Sequence, residues 1–487
     1  MKNLIIDCFA GGGGASTGIE MALGRQVDIA INHDPDAILM HKTNHPNTVH
    51  LTEDIFKVNL QTYVKGQHVA LMWASPDCTS HSKAKGDKPR ESGLRMLPWA
   101  VYKHAKNLLP DVIIIENVEE IQLWGPLDEN GHPIKEQEGQ DYKKFITAML
   151  SLGYRWNFRK LVAADYGAPT TRKRWYAIFR RDGKDIVWPE QTHNKTGSNG
   201  LKKWNPIWKY LRLDDIGKSI FDRKKPLAEK TLNRIRRGIE KFVINDPEPF
   251  IVQVDRAGRV SMKQGTTDPV PAITAGSESD TATSKMEKLA DKYRYAAFLT
   301  KFYKSGTGQS MCEPIHTITT SPGHFGQVSV AMIGYEQFKC FLESKDMGEE
   351  KKEALLKKCT WISQFIMEYY GNGTGQSLMA PLHTIVAKDR FALITLFGEE
   401  NVILDICLRM LSPEELKLGQ GFPADYIIDR DYDGNKYPIA KQVARIGNSV
   451  VPTMAQKLVE ANCGYLKVGE RIPKTFSAGN KDAYKSA

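Results

Sequence analysis

The sequence predicts an α/β protein: a doubly wound sheet accompanied by a second, β-containing domain. Three observations predict it. Across the first 190 residues short apolar runs alternate with helical segments, and a glycine cluster closes the first run and opens the first helix. Beyond residue 190 the texture turns basic and then repetitive.

The apolar runs "NLIID", "VDIAIN", "VALMWA", "DVIIIENV" and "WYAIFR" read as strands. They are apolar enough to be buried on both faces, as in a parallel sheet covered by helices. Between them "GASTGIEMAL", "PDAILMHKTN" and "YKKFITAMLSLG" carry helical spacing. Strand–helix alternation of this kind gives a doubly wound domain.

After Trp188-Pro189, residues 195–241 hold 14 Lys+Arg against 5 Asp+Glu, nearly the whole formal excess of +10. Trp204, Trp208 and Tyr210 lie among these charges. Basic groups with interleaved aromatics suit a polyanion, because phosphate neutralisation releases counterions. Within this stretch Leu232, Ile235, Ile239 and Phe242 recur at helical spacing, so "EKTLNRIRRGIEKF" is an amphipathic helix whatever it binds. Further on, "GTGQSMCEPIHTI" at 306–318 and "GTGQSLMAPLHTI" at 373–385 nearly repeat, following "FLTKFY" and "FIMEYY". A fainter copy runs through "FIVQVD" and "DPVPAIT". The expectation is a repeated pair of strands joined by a glycine-rich loop, around 250–275, 298–330 and 365–395. His316 and His383 recur with it, which favours structural roles. "ESKDMGEEKKEALLKK" reads as a charged, solvated helical insertion.

No apolar run approaches the ~20 residues of a membrane helix. Seven cysteines without a C-x-x-C pair argue against disulfides and zinc. The expectation is a reduced, cytoplasmic protein that binds no membrane and no metal. His33, His41, His45 and His50 read as ordinary surface histidines.

"LIIDCFAGGGGASTGIEMA" is strand, glycine turn, helix: glycines admit a ligand close to the backbone, and the helix N-terminal amides attract polar groups. The spacing matches neither G-x-G-x-x-G nor a P-loop. A nucleoside-like ligand or a simple tight turn both fit. Asp34 and Asp54 fall near strand ends, where acids accept hydrogen bonds from ribose or adenine. In "ASPDCTSHSKAKG", Cys78 taken alone reads as a small buried hydrophobe.

Taken together, "DCFAGGGG", "SPDCTSHSKAKG", "IIIENVEEI", "ADYGAPTTRKRWYAIFRR", "RMLSPEELKLGQGFPADY" and "IGNSVVP" resemble, in order, the motifs of the DNA cytosine-5 methyltransferase family of bacterial or phage type. They cover roughly the first 180 residues and 405–460. The resemblance implies the mixed, doubly wound sheet of S-adenosylmethionine-dependent methyltransferases. It implies a catalytic domain at 1–190 plus 436–467 and makes the second, β-containing domain at 191–435 the target-recognition domain, while the polar, glycine-containing composition of 468–487 reads as a mobile tail. It makes Cys78 the nucleophile that adds to C6 of a flipped-out cytosine, with S-adenosylmethionine as methyl donor. Glu116 would protonate or hydrogen-bond the ring at N3, and Arg172 and Arg174 would orient Glu116 and hold the cytosine carbonyl. For the cofactor it nominates Phe9, Ala10, Gly11, Gly13, Gly14, Asn32, Asp34, Asp54, Ile55, Pro76, Asn448, Ser449 and Val450. For DNA, Ser82, Lys83, Lys85, Lys202, Lys203, Arg223, Lys224 and Lys225 are the candidates. Arg409 and Gln420 match the stretch that organises the recognition domain.

Three positions depart from the family pattern. Asp77 precedes Cys78 where proline is usual, and its carboxylate opposes thiolate formation unless Lys83 and Lys85 offset it. Asn32 stands where a glutamate grips the ribose, which passes that role to Asp34 or weakens it. Thr170 replaces a glutamine. The expected activity is methylation of cytosine C5 in a specific double-stranded DNA sequence, by a monomer acting beside a separate cognate nuclease. RNA as substrate, or a non-catalytic nucleic-acid-binding homologue, are the alternatives.

Overall fold

The computed structural model describes residues 3–77, 92–246, 250–255, 260–263, 292–302, 308–321, 323–343, 348–370, 387–388, 391–396 and 399–473. Two compact units divide the chain: residues 1–205, 314–322 and 416–487 form one, and 206–313 with 323–415 the other. Residues 191–205 stay with the first unit because Thr192 N and Trp204 Nε1 both donate to Asp165.

The first unit is built on a seven-stranded sheet, β1 (Leu4–Cys8), β2 (Ile29–Ile31), β3 (Val49–Leu51), β4 (Val69–Ala74), β5 (Val112–Asn117), β6 (Arg155–Val162) and β7 (Lys173–Arg180), in the order β3-β2-β1-β4-β5-β7-β6. The first five are parallel; β7 inserts antiparallel between β5 and β6. Mixed and doubly wound, the sheet is of the expected class. Apolar side chains of β1, β4 and β5 alternate between two cores, Ile6, Met72 and Ile113 on one face and Ile5, Leu71 and Ile114 on the other. That two-sided burial is what made these strands legible as continuous apolar runs. Strand β6 was not foreseen: "RWNFRKLV" sits at the sheet edge with Arg155, Asn157 and Arg159 exposed, so it lacks such a run.

Helix α1 (Gly14–Leu23) and helix α2 (Pro35–Asn44) coincide with the segments expected. The helix Pro452–Cys463 returns to pack on α1, and a Cβ at Gly18 would overlap Pro452 O. Glycine at that position therefore serves helix–helix contact.

Among the described residues the second unit is built on a nine-stranded sheet whose long strands, Lys292–Lys301, Phe325–Gly334 and Glu399–Met410, pair antiparallel. The amphipathic helix Glu229–Ile239 buries Ile235 and Ile239 as its spacing required, and Gly238 lets it close on the Phe298 ring. Arg409 anchors this unit, donating to Glu415 through two nitrogens (both 2.8 Å), to Gln327 Oε1 at 2.7 Å and to two backbone carbonyls.

One expectation here needs correcting. The run "FIMEYY" at 365–370 is not a strand but the end of the helix Glu349–Tyr370, so it does not match "FLTKFY", most of which lies in a strand. The charged stretch ending at Lys358 is exposed or half-buried over 348–358, as expected, and full burial begins only beyond it, at Cys359 and Ile362. The second glycine-rich copy with His383, and "DPVPAIT", lie outside the described residues.

Candidate active site

The parallel strands converge at their carboxyl edge, and β1 and β4 mark the point where strand order reverses, the usual ligand crevice of such sheets. β1 exits into a turn of unusual backbone: Phe9 (φ 66°), Gly11 (φ 52°) and Gly13 (φ 88°) are all left-handed. Ala10 N donates to Ile31 O, which ties the turn to β2.

The four consecutive glycines do different work. At Gly12 a Cβ would press on Arg445 Cβ at 3.3 Å, at Gly13 on Tyr426 OH at 2.7 Å, and at Gly14 it would overlap Ser449 Oγ and Val450 O. Those three make room for the protein's own chain. Gly11 meets only Phe9 O, at 3.8 Å, so its side of the turn stays open to a ligand. Ser449 and Val450 are buried against the turn and Asn448 is exposed. Gln420 Nε2 donates to Ser449 O, fixing that segment.

At the end of β2, Asn32 Oδ1 accepts from Asp34 N at 2.9 Å. Asp34 caps α2 by accepting from Asp36 N and Ala37 N and also receives Arg445 Nη2. Burial alone would raise its pKa, but Arg445 and the two amides hold the carboxyl below the usual range. Its acceptor capacity is thus largely committed to the protein. Beyond β3, exposed Asp54 caps a turn through Phe56 N, and buried Ile55 gives its carbonyl to His104 at 2.8 Å.

At the end of β4 the buried Pro76 O accepts from Asn117 Nδ2 at 3.1 Å, which pins the exits of β4 and β5 together. Glu116 closes β5 and is 7% exposed. Arg174 on neighbouring β7 places Nε 3.2 Å from Glu116 Oε1, because Glu116 registers with Tyr176, two residues along β7. Arg172, just before β7, donates through Nη1 to Gly447 O at 3.0 Å. Thr170 is buried, bridges to Ile315 and accepts from Arg172 N at 3.2 Å. Cys78, Ser82, Lys83 and Lys85 lie outside the described residues. Lys202, Lys203, Lys224 and Lys225 are exposed, whereas Arg223 donates to Leu408 O at 3.2 Å. Arg236, also in the basic stretch, is buried against Glu229 and Phe365 O.

One further expectation is overturned. His41 and His45 are not surface histidines; they are 0% and 1% exposed and lie under the glycine turn. Helical spacing on α2 turns both inward, and buried hydrogen-bond partners supplied by α1, Ser16 and Thr17, compensate them. Sequence reasoning also missed Asn117, Arg445 and Tyr426, whose hydroxyl donates to Gly12 O. Tyr426 and Arg445 act on residues some four hundred positions away, and no local signal marks them.

Residues 4–288 match the model of the C-5 cytosine-specific DNA methylase family, more than half of the chain. The chain is 27% identical over 224 residues to the type II methyltransferase M.AquIA of Picosynechococcus, covering 44% of this chain and 85% of that one. It is 26% identical over 213 residues to the type II methyltransferase M.SacI of Streptomyces achromogenes, where the match covers 39% of this chain and 51% of the other. Among solved structures, the methyltransferase EhMeth of Entamoeba histolytica aligns over 96% of this chain and all of its own, at 14% identity and a TM-score of 0.44. With the glycine turn and Glu116 at the carboxyl edge of a doubly wound mixed sheet, and a family match over most of that unit, the chain belongs to the C-5 cytosine-specific DNA methylase family.

Proposed function

We propose that this chain transfers a methyl group from S-adenosylmethionine to C5 of a cytosine in double-stranded DNA. One observation carries the reading: a nearly buried carboxyl, Glu116, held by Arg174 at the carboxyl edge of the sheet, one strand from the residues that lead to Cys78.

Cytosine C5 is a poor nucleophile while the ring is aromatic. Addition of the Cys78 thiolate to C6 breaks the C5=C6 bond and pushes its electron pair toward C5. Glu116 neutralises the charge that would otherwise build at N3, and Arg174 holds that carboxyl in place. When bound, S-adenosylmethionine supplies an electrophilic methyl carbon for C5. Loss of the C5 proton to solvent base then leaves the C5–H electron pair to re-form the C5=C6 double bond, and the C6–S pair departs with sulfur as the Cys78 thiolate.

The turn fits such a cofactor. Gly11 has an open side and left-handed backbone, Asn32 offers an amide at the position of the ribose, and Asp54 lies past β3 for the adenine amino group. Because Asp34 is engaged by Arg445 and its own helix, ribose binding falls to Asn32. The exposed Lys202, Lys203, Lys224 and Lys225 would neutralise phosphates, and Ser82, Lys83 and Lys85 are further candidates for DNA contact. The type II names of the relatives favour a role beside a restriction nuclease.

The test is covalent trapping. With cofactor and duplex carrying 5-fluorocytosine, which lacks the proton that must leave, wild-type protein should form a stable adduct and Cys78→Ser should form none. Bisulfite sequencing of DNA from expressing cells would give the target. A protein that methylates nothing and traps nothing is not the enzyme described.

A further inference from the structure

A chain of buried hydrogen bonds runs beneath the glycine turn and reaches the surface. Asp7 of β1 is fully buried; its Oδ2 accepts from Ser16 Oγ at 2.7 Å, while Oδ1 is buried without a partner. Ser16 Oγ lies 2.9 Å from His41 Nε2, and His41 Nδ1 lies 2.8 Å from Nε2 of the half-exposed His50. A ring N–H of His50 bonds the Thr48 backbone. Helix α1 has Gly13 at its N-cap and no capping side chain there, but Ser16 N also bonds Asp7. The strand therefore caps the helix that follows the turn.

These contacts admit two directions. With Asp7 protonated, every donor points outward: Asp7 to Ser16, Ser16 to His41, His41 to His50, and His50 to the Thr48 carbonyl. With Asp7 ionised, Ser16 donates to Asp7, His41 to Ser16 and His50 to His41. The Thr48 bond then survives only if His50 carries a second proton. Ionising Asp7 thus reverses the whole chain.

We propose that Asp7, Ser16, His41 and His50 form a positioning network for the glycine turn, in which one proton, held at Asp7 or released to solvent by way of His50, sets how tightly the turn holds a cationic ligand. The inference rests on the S-adenosylmethionine reading, whose sulfonium is the cation meant. An ionised carboxyl beneath the turn attracts that charge; a protonated one does not. The other groups facing the network are Cys8 beside Asp7, Glu20 on α1, Lys42 and His45 on α2, and Tyr426 and Arg471 from the C-terminal part. Glu20 is balanced by His45 at 3.3 Å and Arg471 at 3.9 Å. Burial pushes Asp7 up to about 7, while burial with His45 and Lys42 holds His50 down at about 4. Near neutrality the proton in question is therefore the one on Asp7.

The experiment is calorimetric binding of S-adenosylmethionine between about pH 6 and about pH 8, for wild type and Asp7→Asn. Asparagine still accepts from Ser16 N but cannot ionise. Wild-type affinity should rise with pH, by at most about tenfold per pH unit, and Asp7→Asn should be flat. S-adenosylhomocysteine, which keeps the amino group but lacks the sulfonium, should show a flat profile in wild type. His41→Gln, which cuts the chain without touching Asp7, should move the midpoint. Failure of S-adenosylmethionine to bind wild type at any pH would overturn the cofactor reading itself. Equal slopes in wild type and Asp7→Asn, or an unmoved midpoint in His41→Gln, would overturn the network alone.

Discussion

Arg172 donates to the carbonyl oxygen of Gly447 at 3.0 Å, joining positions 275 residues apart. Gly447 is the last residue but one of the helix Ile439–Asn448, which leads into Ser449 and Val450, and a Cβ there would lie 2.5 Å from Thr319 O. The residue before β7 and the segment that closes the glycine turn are thereby one mechanical piece. Arg172 joins the two halves of the site as much as it faces either.

Replacing Arg172 with Lys keeps the charge but not the reach. The buried Gly447 carbonyl loses its donor, which should cost about 1–3 kcal/mol in urea unfolding. In steady-state kinetics the KM for S-adenosylmethionine should rise more than the KM for DNA. Unchanged stability and unchanged KM would show that the link between the two segments does no positioning.

Glu116→Gln retains shape and removes the acid. Methyl incorporation into DNA should fall by roughly 10²–10⁴-fold, while binding of cofactor and DNA persists. A variant that methylates at the wild-type rate would exclude Glu116 from proton or charge transfer.

The glycines should separate by function. Gly14→Ala drives a methyl into Ser449 and Val450, so it should destabilise the fold by about 1–3 kcal/mol, read as a lower Tm. Gly11→Ala meets open space and carries only left-handed strain, roughly 1 kcal/mol. Its larger effect should appear in cofactor affinity. If both variants lose stability equally and neither loses affinity, the open side of Gly11 is not a ligand face.

Stability should also depend on Asp7. Its carboxyl is raised by burial from 3.8 to about 7, so between those values the folded protein holds a proton that the unfolded chain has released. Stability should then fall as pH rises through that window and level off above it, by on the order of 4 kcal/mol at most. Urea unfolding at several pH values checks this, and Asp7→Asn should remove that part of the slope.

Much of the catalytic unit was legible because its signals are local. The strands β1, β4 and β5 are covered on both faces, and α1 and α2 begin and end at glycine, Asp-Pro and asparagine boundaries that act within one turn of chain. Strand β6 escaped because an edge strand need not be apolar. The helix Glu349–Tyr370 escaped because its aromatic end looked like the strand "FLTKFY", and only packing against the second sheet separates the two. At the site, Glu116 and the glycine turn could be read from sequence. Asn117, Tyr426 and Arg445 could not, since each is defined by a partner rather than by a pattern.

The order of residues alone determined the family, the alternation of strand and helix, and which side chains could do chemistry, since these depend on identity and short-range periodicity. Tertiary structure decided how those groups are used. It set three of four glycines against the protein's own side chains and backbone, turned Arg172 toward Gly447 and Arg174 toward Glu116, and buried His41 with Asp7. The reason is that hydrogen bonding and close packing are settled between surfaces that meet only after folding, and a linear sequence does not say which carbonyl or carboxylate will be within three ångströms of a given donor.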